Sequence, residues 1–393
     1  MLKRRAVIDR FSCSWFTTPQ GAQEYYIACC SGGASSFENA LDILNRNYLS
    51  ALEDLGLHPD TLAFCRFHLS DIVNQKKILA RSEVFKNVGF GAVSIVEQVP
   101  CSNDFALLFA YHVRGEQRQF HKEIFDYTAD QTPAGASIAG NHYTMVWAAN
   151  TSAPLAPDSH TQTTGLFSSF LASIERMGMT VRRNLIRSWM YVRDIDNHYQ
   201  GMVDGRREFF SAHGLTPASR FIASTGIEGK GPDMHSLVTM DSLLLGNIAE
   251  EQIEVMNALE NLSRPFSYGV TFERGLRVRF GDRSHLYISG TASIDNKGNI
   301  LHDGDIEKQT HRTIDNIEAL LGGQGATLEA MAYAVAYLRN PKHFPCVHQL
   351  LLRRLPPGLP LIIVEGAVCR QGWLFEMEGV AVTADATRFP PFF

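Results

Sequence analysis

Along the chain, stretches with apolar positions every three or four residues alternate with short apolar runs bounded by glycine and proline. The alternation recurs three times. The first pass reads as a helix over Asn47–Gly56, a strand over Leu62–Leu69 and a second helix from Asp71. The second gives Ser169–Gly178, Leu185–Val192 and Asp194, and the third Arg312–Gly322, Met331–Leu338 and Asn340. In the third long helix Ile306, Thr310, Ile314, Ile317 and Leu321 fall on one face, and a glycine closes each long helix as a left-handed stop. Two further strand-like runs follow each second helix: Ala92–Val99 with Phe105–Val113, Arg220–Ser224 with Leu237–Leu245, and Leu361–Val368 with Trp373–Val382. A strand pair precedes each long helix, clearest as Leu276–Phe280 with Leu286–Ser289. The repeating unit is therefore strand, strand, helix, strand, helix, strand, strand, an α/β layer with its helices on one face. Boundaries are expected in Glu116–Gly140 and Leu245–Pro265, giving units 1–125, 126–260 and 261–393.

Composition narrows the function classes. The chain has 393 residues, 45% apolar and 20% charged, more than one core usually organises. Net charge is −5 and the basic residues form no stripe, so the phosphate-neutralising surface that nucleic-acid binding needs is not expected. No apolar stretch approaches the ~20 residues of a membrane span. The basic start is interrupted at Asp9 and Arg10, unlike a signal peptide. Seven scattered cysteines, Cys13, Cys29, Cys30, Cys65, Cys101, Cys346 and Cys369, form no C-x-x-C pair, which predicts reduced thiols in a cytoplasmic protein. Gly322–Gly325 follows a helix and precedes a strand, the reverse of a dinucleotide loop. His302, Asp303 and Asp305 read as a turn and helix cap, so no metal site is expected.

The candidate chemistry gathers in the third unit. Glu376 and Glu378 stand two apart on a strand and share a face, with Trp373, Phe375 and Met377 on the other. Two carboxylates there need solvent, arginine partners or a cleft, so the choice is between a solvated outer face and a functional cleft. A desolvated Glu376 would hold its proton toward neutral pH and act as an acid. Cys369 is either a small apolar strand residue or a thiol whose pKa Arg370 lowers. Arg187, Arg220, Arg274 and Arg370 are candidate anion clamps, of which two are expected to act. Tyr268 is a candidate hydrogen-bond donor to a substrate carboxylate, against simple packing.

The order of elements and the closing strand pair within Val364–Val382 resemble the RidA/YjgF superfamily. The resemblance implies a fold of three RidA/YjgF-like (chorismate-mutase-like) α/β (α+β) units, each a mixed sheet with two helices on one face, arranged as an internal pseudo-trimer. It implies no cofactor and a small carboxylate substrate, with the protein either a monomeric pseudo-trimer or a low-order homo-oligomer. Enamine- and imine-hydrolysing members use an Arg on the penultimate strand and a Glu on the last. Here Glu376 matches the Glu while Leu361 stands in the Arg position, and in the second unit Pro217–Arg220 resembles the Arg setting while Thr239 stands for the Glu. Short stretches resemble the chorismatase branch: Arg187–Tyr191 with Ile195–Asn197, Tyr268-Gly269 with Phe272–Arg274, Phe280–Asp282, Leu286–Ile294, Gly304-Asp305 with Gln309, and Val368–Arg370 with Glu376 and Glu378. The Tyr268 segment is shorter than in that branch, and Glu273 and Gly275 flank Arg274. The implied activity is chorismatase-like cleavage of an enolpyruvyl ether with release of pyruvate, Glu376 and Cys369 being catalytic and the arginines, Tyr268 and Glu378 binding. The alternatives are imine hydrolysis, with Arg220 and Glu376 meeting across a unit contact, and a non-catalytic small-molecule binder.

Overall fold

The computed structural model describes residues 1–18, 21–115, 120–127 and 132–393, except the side chains of Tyr127 and Tyr268. Three six-stranded mixed sheets follow one another along the chain. The first unit holds β1 (Leu2–Val7), β2 (Phe11–Phe16), β3 (Gln23–Cys30), α1 (Phe37–Leu55), β4 (Leu62–Leu69), α2 (Ile72–Leu79), α3 (Glu83–Val88), β5 (Ala92–Glu97) and β6 (Ala106–Arg114). The second holds β7 (His121–Tyr127), β8 (Pro133–Ala139), β9 (Thr144–Ser152), α4 (Ser159–Glu175), α5 (Val181–Asn184), β10 (Leu185–Val192), α6 (Ile195–Ala212), β11 (Ala223–Glu228) and β12 (Val238–Gly246). The third holds β13 (Ile253–Val255), β14 (Gly275–Arg279), β15 (Arg283–Ala292), α7 (Ile306–Gly322), β16 (Met331–Leu338), α8 (Phe344–Arg354), β17 (Leu361–Glu365) and β18 (Phe375–Ala384).

Each unit thus has three strands before its long helix, one more than the apolar pattern suggests. The extra strands β1, β7 and β13 are outer edges, half solvated or very short, and so carry a weak apolar signal. Two sheet boundaries also differ from expectation. β7 crosses residue 125 yet pairs with β8 of the second sheet, and β13 precedes residue 261 yet pairs with β14 of the third.

The long helices begin alike. Ser36, Asp158 and Asp305 each accept a backbone N–H three residues on, satisfying a donor that the first turn leaves open. Gly56 and Gly178 take the left-handed stop (φ 62° and 70°). In the third unit the helix runs through Gly322, and the left-handed residue is Gly325 (φ 68°), because Gly322 and Gly323 remain helical.

The inner edge strands β5, β11 and β17 meet the neighbouring units. Glu97 and Lys230 exchange backbone hydrogen bonds (2.8 and 3.2 Å), Glu365 N donates to Val99 O (2.7 Å), and Glu228 N donates to Ala367 O (3.1 Å). Each unit therefore pairs with the other two. Buried charge adds to this. Between the first and third units the fully buried Glu24 takes Arg283 (2.9 Å), His285 (2.9 Å), Tyr26 (2.9 Å) and Tyr111 (3.1 Å). Between the first and second, Asp241 takes Arg66 (2.9 Å) and Ser94 (2.6 Å).

Burial pushes the Glu24 carboxyl up, but His285 and Arg283 outweigh it and hold it down at about 2. A carboxyl depressed from 4.5 contributes stability that is present above that value and lost as the pH falls toward 2, on the order of 3 kcal/mol in all. Chemical denaturation should therefore show stability falling between about pH 4.5 and 2. Glu24→Gln should be less stable at pH 7 by about 3–5 kcal/mol and should lose part of that acid dependence.

Candidate active site

β18 lies between β15 and β16, so Glu376 and Glu378 emerge on the sheet face that meets the second unit rather than solvent. Glu376 is 5% exposed and Glu378 is fully buried. The solvated outer face weighed from sequence is thereby excluded. Opposite them the β15 register shifts between Ile288 and Thr291, and the bulge carries Ser289 and Gly290. A Cβ on Gly290 would collide with the Glu376 carboxyl, so a side chain there would displace the acid. The bulge is fastened to β11, since Ser224 N donates to Ser289 Oγ (2.9 Å) and Gly290 N to Thr225 Oγ1 (3.0 Å), and to the segment before β14, since Ser289 Oγ donates to Glu273 O (2.5 Å).

Glu378 collects donors from both units. Arg187 Nη2 and the Thr225 hydroxyl bond Oε2, while Trp189 Nε1 (2.7 Å) and the Tyr337 hydroxyl (3.1 Å) bond Oε1. Arg187 also bonds Thr225 (2.7 Å) and lies over the Trp189 ring at 4.9 Å. Its Nη1 is buried with no hydrogen-bond partner among the described residues.

Among the described residues Glu376 has no such set of donors. Burial, then the charge of Glu378, push its carboxyl up to about 8, against smaller opposing effects from Arg274 and Arg187. It is therefore a protonated acid at neutral pH. Cys369 is partly exposed, yet burial of its sulfur and the neighbouring Glu376 push the thiol up to about 12, with Tyr199 and Arg370 opposing weakly. Of the two readings weighed for Cys369, the thiolate beside Arg370 is disfavoured at neutral pH.

The arginines separate into groups. Arg274 is buried, donates Nε to Ser263 O (3.1 Å) and acts on Glu376. Arg370 donates to Gly298 O (3.1 Å), lies over Trp373 at 5.0 Å and acts on Cys369. Arg220 does not join them. It lies before β11, not on it, and donates to the carbonyls of Leu185 (3.4 Å), Phe221 (3.2 Å) and Arg182 (2.8 Å) beside a separate cleft of about 360 Å³. The charges that act on it are Glu250, Glu273 and Arg182, not Glu376. The meeting of Arg220 with Glu376 expected for imine hydrolysis is absent among the described residues. Tyr268 ends a short 3₁₀ turn, Pro265–Tyr268, and its side chain lies outside the described residues.

Sequence reading missed Arg206. It lies on α6, is 1% exposed, and donates Nε to Thr271 Oγ1 (3.0 Å) and Nη1 to Ser224 Oγ (3.1 Å). No carboxylate pairs with it among the described residues; burial lowers its pKa while Tyr199 and Cys369 act to raise it. A buried guanidinium held by neutral hydroxyls is an anion receptor in waiting. The signal was legible, since Arg206 falls on the apolar stripe with Met202, Val203, Phe209 and Phe210.

The other two contacts lack this chemistry. Strand register puts Thr239 and Leu107 at the Glu376 position, and Asp241 and Phe109 at the Glu378 position. Between the first and second units Asp241 is closed by Arg66, Ser94 and Asn150 N (2.9 Å). Between the first and third, Leu107 lines an apolar cleft of about 210 Å³ with Leu361 and Ile362.

Residues 278–383 match the family described as Endoribonuclease L-PSP. A chorismatase of Streptomyces rapamycinicus is 22% identical over 352 residues, 82% of this chain and 98% of that protein. A 3-hydroxybenzoate synthase of Streptomyces hygroscopicus is 25% identical over 222 residues, 51% of this chain; the match spans 64% of that relative's length. A chorismatase crystal structure superposes with a TM-score of 0.61 at 18% identity, covering 82% of this chain and 93% of the other, which establishes the shared fold. Residues 278–383 thus resemble the RidA/YjgF-like family, and the chain as a whole, three repeated α/β units, is similar in fold to the chorismatases.

Proposed function

We propose that the contact between the second and third units is an active site for chorismatase-like cleavage of an enolpyruvyl ether, releasing pyruvate without a cofactor. The observation that carries this reading is Glu376, a buried carboxyl pushed up to about 8 and therefore able to deliver a proton at neutral pH. The low-identity relatives named as chorismatase and 3-hydroxybenzoate synthase support the substrate class.

In this mechanism the Glu376 carboxyl protonates the terminal methylene carbon of the enol ether. The resulting oxocarbenium ion takes a water molecule, which returns a proton to Glu376. The hemiketal then collapses, breaking the ether C–O bond to give pyruvate and the ring alcohol. Glu378 stays anchored by Arg187, Thr225, Trp189 and Tyr337, and its negative charge favours both the protonated acid and the cation. Arg206 and Arg274 receive the substrate carboxylates, and Arg187 Nη1 adds a third donor. Cys369 packs as a neutral thiol rather than acting as a nucleophile.

Incubation with chorismate should release pyruvate, and the absence of pyruvate from chorismate and related enolpyruvyl ethers would overturn the reading. Glu376→Gln, which replaces a neutral carboxyl by an amide of the same shape, should leave the circular dichroism spectrum unchanged and slow turnover at least about a hundredfold. Because the acid form is the active one and its pKa is raised, kcat/KM should hold at neutral pH and fall above about pH 8. Arg206→Met should raise KM about 10- to 100-fold with a smaller change in kcat, and Arg206→Lys should restore part of that loss.

A further inference from the structure

The cleft of about 360 Å³ beside Arg220 takes no part in the reaction proposed for Glu376. It opens between the second unit and the segment that leads into the third sheet. Arg182 and Arg183 line it from α5, Arg220 from the segment before β11, and Glu250 and Glu251 from the turn before β13. Arg220 is 7% exposed, while the other four residues are exposed. A buried guanidinium therefore forms the inner wall, and mobile charged side chains form the rim.

That guanidinium is held in place but not used up. Arg220 Nη1 donates to the carbonyls of Leu185 and Phe221, and Nη2 to that of Arg182 (2.8 Å). Among the described residues this leaves Nε with no hydrogen bond and Nη2 with one, although a guanidinium has five N–H donors. Nε and Nη2 are neighbours on a planar fork, the geometry that takes both oxygens of a carboxylate. No acid pairs with Arg220 among the described residues. Glu250 acts on it but is paired with Arg182 (3.3 Å), and Glu273 acts on it but accepts Phe221 N (3.0 Å). Burial lowers the Arg220 pKa to about 10, in keeping with a charge that its surroundings match incompletely.

The arginines are peculiar to the second unit. β10, β4 and β16 begin at Leu185, Leu62 and Met331, each directly after one helical turn. Arg182 and Arg183 thus stand level with Pro59 and Asp60 of the first unit and with Leu328 and Glu329 of the third. By strand register Arg220 stands level with Gly89 and Pro357. The other two units build the same turns with neutral or acidic residues, so the gathering of cations here has a reason outside the fold.

The lining sets the class of ligand. Three arginines against two glutamates leave one unmatched positive charge, which suits a monoanion. Ile248 and Ile253 supply an apolar wall, and the volume lies at the lower end of the range of small-molecule sites. We propose that this cleft is a second binding site, for a small organic monocarboxylate whose carboxylate meets Arg220 and whose apolar body packs on Ile248 and Ile253.

4-Bromobenzoate has this chemistry and serves as the probe. A crystal of the full chain soaked in it should show a bromine anomalous peak in the cleft, with the carboxylate against Arg220. In calorimetric titration Arg220→Met should weaken that binding about 10- to 100-fold and Arg183→Glu about 3- to 10-fold. Arg206→Met, at the Glu376 cleft, should leave it in place. Should Arg220→Met not fold, Arg183→Glu and Ala249→Trp decide, because both positions are exposed and the indole would fill the cleft. No bromine peak in the cleft, a peak in the crystal without binding in solution, or an affinity unchanged in folded Arg183→Glu and Ala249→Trp overturns the site. Sulfate bound at Arg220 where 4-bromobenzoate does not bind overturns the ligand class.

Discussion

Glu378 is fully buried between two units and takes hydrogen bonds from Arg187, Trp189 and Thr225 of one and Tyr337 of the other. A carboxylate in that position is tolerable only because so many donors converge on it. The consequence falls on its neighbour. Glu376 shares the buried face two residues away, has no comparable donors, and keeps its proton through desolvation and the charge of Glu378. One satisfied carboxylate thus creates one acid, and the same hydrogen bonds that neutralise the first also hold the second and third units together.

The three contacts show what repetition of a unit permits. All place a strand face against the inner strands of a neighbour, and two retain a buried acid with an arginine and a hydroxyl: Glu378 with Arg187 and Thr225, Asp241 with Arg66 and Ser94. Only the former has a second carboxyl, since Thr239 replaces it in the latter. Closed by Arg66 and Asn150, the Asp241 contact is structural. At the third contact Leu107 and Phe109 take both positions, Phe109 stacks on Tyr333 at 4.4 Å, and the binding of the units passes to the Glu24 cluster elsewhere. Strength of assembly and capacity for chemistry are therefore distributed among equivalent positions rather than repeated at each.

The arginines mark how far a linear reading reaches. Arg187, Arg220, Arg274 and Arg370 are alike as residue types, yet Arg187 binds an internal carboxylate, Arg220 binds backbone carbonyls, Arg274 acts on the acid and Arg370 acts on Cys369. Arg206 escaped notice because an arginine on a helix is ordinarily solvent-facing. Its place on the apolar stripe was the available clue, and its hydroxyl partners come from β11 and the segment at Thr271.

The sequence by itself determined the repeated α/β units, because apolar periodicity and the spacing of caps are local properties that each segment carries alone. It also determined that Glu376 and Glu378 share a face, since alternation along a strand needs no partner. It did not determine the weak outer strands β1 and β13, whose register is set by pairing, nor the end of α7 past Gly322. Tertiary structure alone decided that the glutamate face is buried, that Glu378 is satisfied while Glu376 is not, and which arginines reach them. Those outcomes depend on donors of the second unit that lie 153 to 191 residues away in the chain, and desolvation is a property of the assembled contact, not of any segment within it.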